Sequence, residues 1–222
     1  MLKPSVILLL LLGITMFLNS CTMASASAAA IPDPKVDSAL AGKQTEQQAV
    51  FAGGCFWGVE AVFDRVKGVV KAESGYAGGS ADTAKYYTVS SGETGHAESV
   101  RITYDASQIT YGQLLKVFFA VAHDPTELNR QGPDVGPQYR SAIFYSNEEQ
   151  KRIAESYIQQ LDQVKAFETR IATQVVPLNA FYEAEAYHQN YLVNHPDEPY
   201  IVYNDMPKLN NLRKLLPKLY KE

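Results

Sequence analysis

The period of apolar and polar positions changes repeatedly along the chain, and each change marks an element. Ala49-Val50-Phe51-Ala52 is a short apolar run and predicts a strand. Beyond it, Val59, Val62, Phe63 and Val66 recur at spacings of three and four, which predicts a helix. Gly53 and Gly54 lie between the two and let the backbone turn sharply. Val69 to Tyr76 predicts a second strand, closed by the turn residues Gly75-Tyr76-Ala77-Gly78-Gly79-Ser80. Ala84 to Gly95 reads as an irregular excursion. The clearest alternation is Glu98 to Tyr104. Val100, Ile102 and Tyr104 share one face there, and Ser99, Arg101 and Thr103 share the other. Glu98 falls on the apolar face, where partial desolvation would raise its pKa; escape to solvent or pairing with Arg140 is the competing expectation.

Thr110-Tyr111-Gly112-Gln113 has capping-box spacing and opens a helix through Leu114, Leu115, Phe118, Phe119 and Ala122, stopped near Pro125. Pro125 to Gln138 is a long polar segment, and Tyr139 to Tyr145 a strand. Asn147 and Gln150 can cap a helix whose stripe is Ile153, Tyr157, Ile158 and Leu161. Thr169 to Val176 alternates as a strand. In Phe181 to Tyr191, the spacing of Tyr182, Glu185, His188 and Gln189 places them on one helical face. Pro207 after Asp205 starts a last helix bearing Leu209, Leu212, Leu216 and Leu219. Strands and helices thus alternate irregularly, which indicates an α+β domain: a mixed or antiparallel sheet with helices packed on it.

Composition bounds the function. The chain has 222 residues, enough for one domain with a full core. Net charge is −4 with no dominant basic patch, which argues against a nucleic-acid partner. Fourteen tyrosines suit a pocket that binds something both apolar and polar. Lys3 and the apolar run Val6 to Leu18 have the form of a signal peptide over residues 1–20. The sequence Leu18-Asn19-Ser20-Cys21 resembles a bacterial lipobox, which implies lipidation of Cys21. An ordinary signal peptide cleaved in the Ala/Ser run that follows is the alternative. The expected organisation is then a lipidated, flexible tether over 21–47 and a folded domain over 48–222, exported to the bacterial cell envelope, lipid-anchored and facing the periplasm or the outside.

Only two cysteines occur, Cys21 and Cys55. With Cys21 acylated or removed, Cys55 has no intramolecular disulfide partner. It sits at the predicted start of a helix, whose unpaired N–H groups favour a thiolate. A buried, inert cysteine is the competing reading. His96, His123, His188 and His195 show no zinc spacing. No Gly-rich loop matches a phosphate-binding pattern. Two chemistries remain for Cys55. One is a Cys/His hydrolase with His96, His123 or His188 as base. The other is redox attack by sulfur on a small apolar group carrying a polar oxygen. A binding lipoprotein without catalysis is a third possibility.

Several ordered motifs point the same way. Gly54-Cys55-Phe56-Trp57-Gly58, Gly75-Tyr76-x-Gly78-Gly79, Gly95-His96-Ala97-Glu98 and Gln138-Tyr139-Arg140-Ser141 resemble type A peptide methionine sulfoxide reductases. So do His123-Asp124-Pro125, Arg130-Gln131-Gly132-x-Asp134 and Phe181 to Tyr191. The resemblance runs from about Ala49 to Lys218. It implies a two-layer α+β domain, a ferredoxin-like roll, and the following roles. Cys55 attacks the sulfoxide sulfur and Glu98 protonates the oxygen. Tyr86 and Tyr139 hydrogen-bond that oxygen. Phe56 and Trp57 hold the S-methyl group, and Asp134 binds substrate through a polar contact. The substrate is the S epimer of methionine sulfoxide, free or in oxidised proteins, and the first products are methionine and a Cys55 sulfenic acid. A helix N-terminus contributes only about 1 kcal/mol toward a thiolate. Most of the barrier reduction must therefore come from protonating the oxide.

The chain departs from many members in carrying no resolving cysteine. His195 to Glu222 holds none, and Ser90 and Ser91 stand in a loop where a thiol could have been. The expected recycling is direct reduction by an external thiol, either a small one or a thioredoxin- or glutaredoxin-type partner, with no bound cofactor or metal and a monomeric enzyme.

Overall fold

A computed structural model describes residues 31–222. The elements in chain order are β1 (Glu46–Gly53), α1 (Phe56–Asp64), β2 (Val69–Ala77), the single turn α2 (Tyr86–Val89), β3 (Ala97–Asp105) and α3 (Tyr111–Val117). Next come β4 (Arg130–Gln131), β5 (Asp134–Val135), β6 (Ser141–Tyr145), α4 (Glu148–Gln163), β7 (Gln174–Pro177), β8 (Phe181–Glu183), α5 (Tyr191–Asn194) and α6 (Met206–Leu215). Six strands form one sheet in the order β7-β6-β1-β3-β2-β8. All neighbours are antiparallel except β6 and β7, so the sheet is mixed. β4 and β5 form a separate small hairpin.

The central strand β1 is covered on both faces, which is why its sequence reads as a continuous apolar run. Ala49 and Phe51 enter the main core with α1, α3 and α4, while Val50 and Ala52 enter a smaller cluster with Ala77, Ala97, Ala142 and Phe144. Glu98, Val100, Ile102 and Tyr104 of β3 are all buried. Val100, Ile102 and Tyr104 share the main core with Val59, Val62 and Phe63 of α1. Strand alternation therefore aims Glu98 at the side of the sheet where α1 begins.

Three expectations are corrected. The tether expected over 21–47 is packed from residue 31 onward. Ile31 is buried in the main core. The Tyr157 hydroxyl donates to Pro32 O (2.7 Å), and Gln160 bonds both Lys35 N (2.8 Å) and Asp33 O (2.9 Å). The Asp37 carboxylate accepts from Thr110 Oγ1 (2.5 Å) and Gly112 N (2.7 Å) at the start of α3. Low apolar content misled because this segment is held by hydrogen bonds to α3 and α4. Second, Phe181 to Tyr191 is not one helix. Residues 181–183 pair with β2 as an edge strand, a 3₁₀ turn covers Ala186–His188, and Asn190 takes a left-handed conformation (φ 54°) before α5. A polar spacing of three and four fits that sequence, but the free edge of β2 captured its first residues. Third, the helix opened by Thr110 widens after Val117 into a π-turn over Phe118–Ala122. The proposed signal peptide and Cys21 lie outside the described residues.

Asp37→Ala removes the acceptor for the N-cap Thr110 hydroxyl and for the Gly112 N–H in the first turn of α3. It should cost about 1–2 kcal/mol in chemical denaturation while leaving turnover unchanged, because Asp37 is not part of the reactive cavity. Unchanged stability would show that the N-terminal segment only rests on the domain.

Candidate active site

Cys55 is the N-cap of α1 and follows two glycines. Gly54 has φ +87°, and a Cβ there would lie 2.5 Å from the Gln131 side chain. Both the sharp turn and the close passage of the β4–β5 hairpin therefore require glycine. The π-turn places the His123 ring against Phe118 (centroids 4.0 Å apart), and both side chains pack beneath Gly53. Cys55 is 7% exposed, at a cavity of about 240 Å³.

Seven of the residues singled out in the sequence line that one cavity: Cys55, Phe56, Trp57, Tyr86, Glu98, Asp134 and Tyr139. They come from separate parts of the chain. The first three are the start of α1, Tyr86 opens α2, Glu98 begins β3, Asp134 begins β5, and Tyr139 ends a 3₁₀ turn before β6. Arg140 fixes that turn by donating to Gly95 O (2.9 Å), His96 O (3.1 Å) and Pro137 O (2.8 Å). It forms no pair with Glu98. Glu185 holds Tyr86, accepting from its backbone N–H (3.0 Å) and from the Tyr76 hydroxyl (2.9 Å).

Glu198 and Tyr200 also line the cavity and were not anticipated. They lie in a stretch without periodicity, and the high tyrosine count was the one signal that could have drawn attention there. The Tyr200 hydroxyl donates to Asp134 and its ring meets Trp57 edge-on. The Tyr191 hydroxyl donates to Glu198 (2.7 Å), and its ring stacks flat on Trp57 at 3.7 Å. Asp205, foreseen only as a helix start, is fully buried. It pairs with Lys208 (3.0 Å), and its Oδ2 has no partner among the described residues.

The protonation pattern differs from the simple expectation of a thiolate at a helix end. Burial pushes the Cys55 thiol well above its ordinary value, and Glu98 and Asp205 push it further. Lys208 and the Trp57 backbone N–H pull the other way and are outweighed. Glu98 is 2% exposed. Burial raises its pKa to about 8 against the lowering bond from the Phe56 N–H (3.1 Å), with Asp134 and Asp205 adding to the rise. Near neutral pH the site thus holds a thiol beside a carboxylic acid. The Tyr86 and Tyr139 hydroxyls are also pushed up, by burial first and then Glu98, so they remain donors.

No histidine lines the cavity. His96 accepts from Gly79 N (3.2 Å) and its Nε2 reaches Ser80 O (2.9 Å). His123 bonds Phe118 O (3.1 Å) and Ser141 Oγ (2.7 Å). His188 accepts the Trp57 indole N–H (3.1 Å). None is paired with Cys55, so the geometry offers no Cys/His hydrolase dyad. Among the described residues, no group of three or more His, Cys, Asp or Glu could hold a metal ion.

Comparison with known proteins bears on the same chemistry. The sequence profile described as peptide methionine sulfoxide reductase matches residues 47–219. Peptide methionine sulfoxide reductase MsrA 2 of Mesorhizobium japonicum is 59% identical over 186 residues, covering 84% of this chain and 94% of that protein. MsrA 2 of a Synechocystis species is 52% identical, covering 83% and 87%. Among solved structures, reduced Mxr1 from Saccharomyces cerevisiae superimposes with a TM-score of 0.61 at 33% identity, covering 73% of this chain and 92% of that one.

Gly58, in the first turn of α1, tests how closely the C-terminal region abuts the nucleophile. A Cβ there would lie 2.1 Å from Asp205 Oδ1 and 2.8 Å from Lys208 Nζ. Gly→Ala inside a helix ordinarily stabilises by about 0.5–1 kcal/mol. Here overpacking should reverse the sign, costing about 1–3 kcal/mol. Gly58→Ala should lower the melting temperature and the activity together. Gly42→Ala, with nothing within 4 Å, is the control.

Proposed function

Because the chain belongs to the peptide methionine sulfoxide reductase family, we propose that its cavity carries out this chemistry through Cys55 and Glu98. The enzyme is a peptide-methionine (S)-S-oxide reductase of the MsrA type, returning S-sulfoxides to methionine. The observation that carries the assignment of roles is the shared burial of the thiol and the carboxylic acid at one cavity. A sulfoxide oxygen is a poor leaving group, and a carboxyl with a pKa of about 8 is protonated when the attack occurs. In our reading the Cys55 sulfur attacks the sulfoxide sulfur while Glu98 delivers its proton to the oxygen. The S–O bond breaks, the methionine thioether leaves, and the oxygen ends on Cys55 as a sulfenic acid. The thiol proton restores Glu98, so the net change is thiol plus sulfoxide to sulfenic acid plus thioether. The Tyr86 and Tyr139 hydroxyls donate to the same oxygen, as in an oxyanion site. Phe56 and Trp57 receive the S-methyl group, and Asp134, held by Tyr200, takes a polar part of the substrate.

Regeneration is proposed to use an external thiol, small or thioredoxin-like. Cys55 is the only free cysteine among the described residues. The first thiol condenses with the sulfenic acid to a mixed disulfide and water. A second thiol releases the Cys55 thiol and carries away a disulfide. We also read the strand order β6-β1-β3-β2, with α1 and α3 as the crossovers, as a ferredoxin-like unit extended by β7 and β8.

The same proposal places the enzyme at the cell envelope through Cys21. It rests on the Lys3, Val6 to Leu18 and Leu18-Asn19-Ser20-Cys21 pattern. No helix among the described residues is long and apolar enough to cross a membrane.

Two experiments test these assignments. Cys55→Ser should abolish reduction of an S-sulfoxide substrate. Glu98→Gln should slow the first turnover by about 10²–10⁴-fold. Glu98 acts in its protonated form, so wild-type activity should be full below about pH 8 and fall as pH rises through that value. The variant should lose this alkaline limb; a limb unchanged in Glu98→Gln would assign it to another group. For the anchor, Cys21→Ala should move the protein from the membrane fraction to the soluble fraction of the envelope. Fractionation unaffected by the change would remove the lipobox reading.

A further inference from the structure

We propose that Glu198 is a specificity-determining residue. With Asp134 it makes the cavity selective for sulfoxides that carry a cationic group, ammonium or guanidinium, close to the oxidised methionine. The inference rests on the reductase reading above and adds to it the charge of the preferred substrate.

The cavity has a dry end and a wet end. Cys55, Phe56 and Glu98 are buried, whereas Asp134 and Glu198 are half-buried. A methionine side chain bound with its sulfur at Cys55 therefore has its backbone nitrogen, at the far end of the side chain, beside these two carboxylates. Glu198 is held in place there. Its N–H donates to His195 O (3.2 Å), just past α5, and its carbonyl accepts from Val202 N (2.9 Å). The Tyr191 hydroxyl donates to its Oε2 (2.7 Å), and the Tyr191 ring stacks on Trp57 at 3.7 Å. The Tyr200 ring meets the same indole edge-on, and its hydroxyl donates to Asp134. Two tyrosines thus hang two carboxylates around one wall of the cavity.

Nothing in that wall offsets their charge. No lysine, arginine or histidine lines the cavity, and Glu98 is a neutral acid near pH 7. None of the ion pairs among the described residues involves Asp134 or Glu198. Each has one tyrosine donor, which occupies a lone pair and supplies no charge. Among the described residues no donor reaches Glu198 Oε1 or Asp134 Oδ1, so acceptor capacity is left for the substrate. A cation at the wet end is attracted by both carboxylates, and an anion is repelled by both. Half-burial weakens solvent screening, so the discrimination should exceed that of a surface ion pair.

Steady-state kinetics on small amides of methionine-S-sulfoxide test this. The N-acetyl amide is neutral, the unacetylated amide has a free α-ammonium, and the N-acetyl-lysyl amide has a side-chain ammonium. Wild type should favour a cationic probe over the neutral one by about fivefold in kcat/KM, mostly through KM. The preference should shrink as salt is added. Which cationic probe is favoured identifies the source of the charge, a chain terminus or a basic neighbour. Glu198→Gln keeps an acceptor for Tyr191 and removes the charge, and should cut the preference below about twofold. A role limited to holding Tyr191 would slow every probe alike and leave that ratio where it was. No preference in wild type, a preference insensitive to salt, or one retained in Glu198→Gln overturns the proposal. Turnover of every probe without discrimination leaves the reductase reading standing, whereas no turnover of any probe overturns both. Should the variant fail to fold, the N-acetyl-glutamyl amide decides on wild type: it should be the poorest substrate, and kinetics equal to the neutral probe overturn the proposal.

Discussion

The hydrogen bond from the Phe56 amide to Glu98 Oε2 joins the two parts of the molecule on which the site depends, the buried start of β3 and the first turn of α1. A carboxyl on the apolar face of a strand is costly unless something receives it. Here the orphan N–H of a helix terminus does so without supplying a full charge. The carboxyl is satisfied as a hydrogen-bond acceptor and still remains an acid, with its pKa near 8. A lysine or arginine in that place would have held it ionised and removed the proton the chemistry needs. The three carbonyl contacts of Arg140, the nearest cation the sequence offered as a partner, keep that guanidinium elsewhere.

This arrangement changes how the helix end acts on Cys55. A thiolate beside Glu98 and Asp205 in a desolvated cavity is disfavoured, and one helix N-terminus with Lys208 does not reverse that. The resting pair is therefore neutral. Neutrality protects a lone thiol from adventitious oxidation, since reactivity follows the thiolate fraction. In the roles proposed above, a bound sulfoxide would present its positive sulfur to Cys55 and its negative oxygen to Glu98 and the tyrosine hydroxyls, which would make reactivity conditional on the substrate.

Much of this was visible in the residue pattern, and the failures share a cause. The junction of β1 and α1 was legible because an apolar run gives way to a clear helical period and two glycines separate them. Strand alternation put Glu98 on the apolar face but left escape to solvent or pairing with Arg140 open; its burial on the Phe56 N–H decides between them. The seven cavity residues could be named from motif resemblance, although nothing local shows that residues 55, 86, 98, 134 and 139 meet. What was missed depends on long-range polar contacts. Residues 31–37 are held by hydrogen bonds to Gln160, Tyr157 and Thr110 as well as by the buried Ile31. Phe181 to Glu183 became a strand because β2 offered an open edge. Glu198, Tyr200 and Asp205 reach the site from a stretch without period, carried there by the packing of α6 on α1.

That last stretch also bears on how the enzyme is regenerated. The C-terminal region is anchored at both ends. Tyr200 bonds Asp134 and Glu198 bonds Tyr191 at the cavity. At the far end Lys67 N donates to Leu219 O (2.7 Å), Lys221 N to Arg65 O (2.8 Å) and Lys221 Nζ to Val69 O (2.6 Å). Ile201, directly after Tyr200, is fully buried. A segment so held cannot swing a side chain across to Cys55 without breaking the contacts that shape the pocket. Its residues serve as wall and as electrostatic background, with Asp205 raising the pKa of the Cys55 thiol and Lys208 partly offsetting it. Cys55 is the only free cysteine among the described residues, so in the regeneration proposed above, with the tail holding the substrate site in place, the external thiol would reach Cys55 through the cavity mouth.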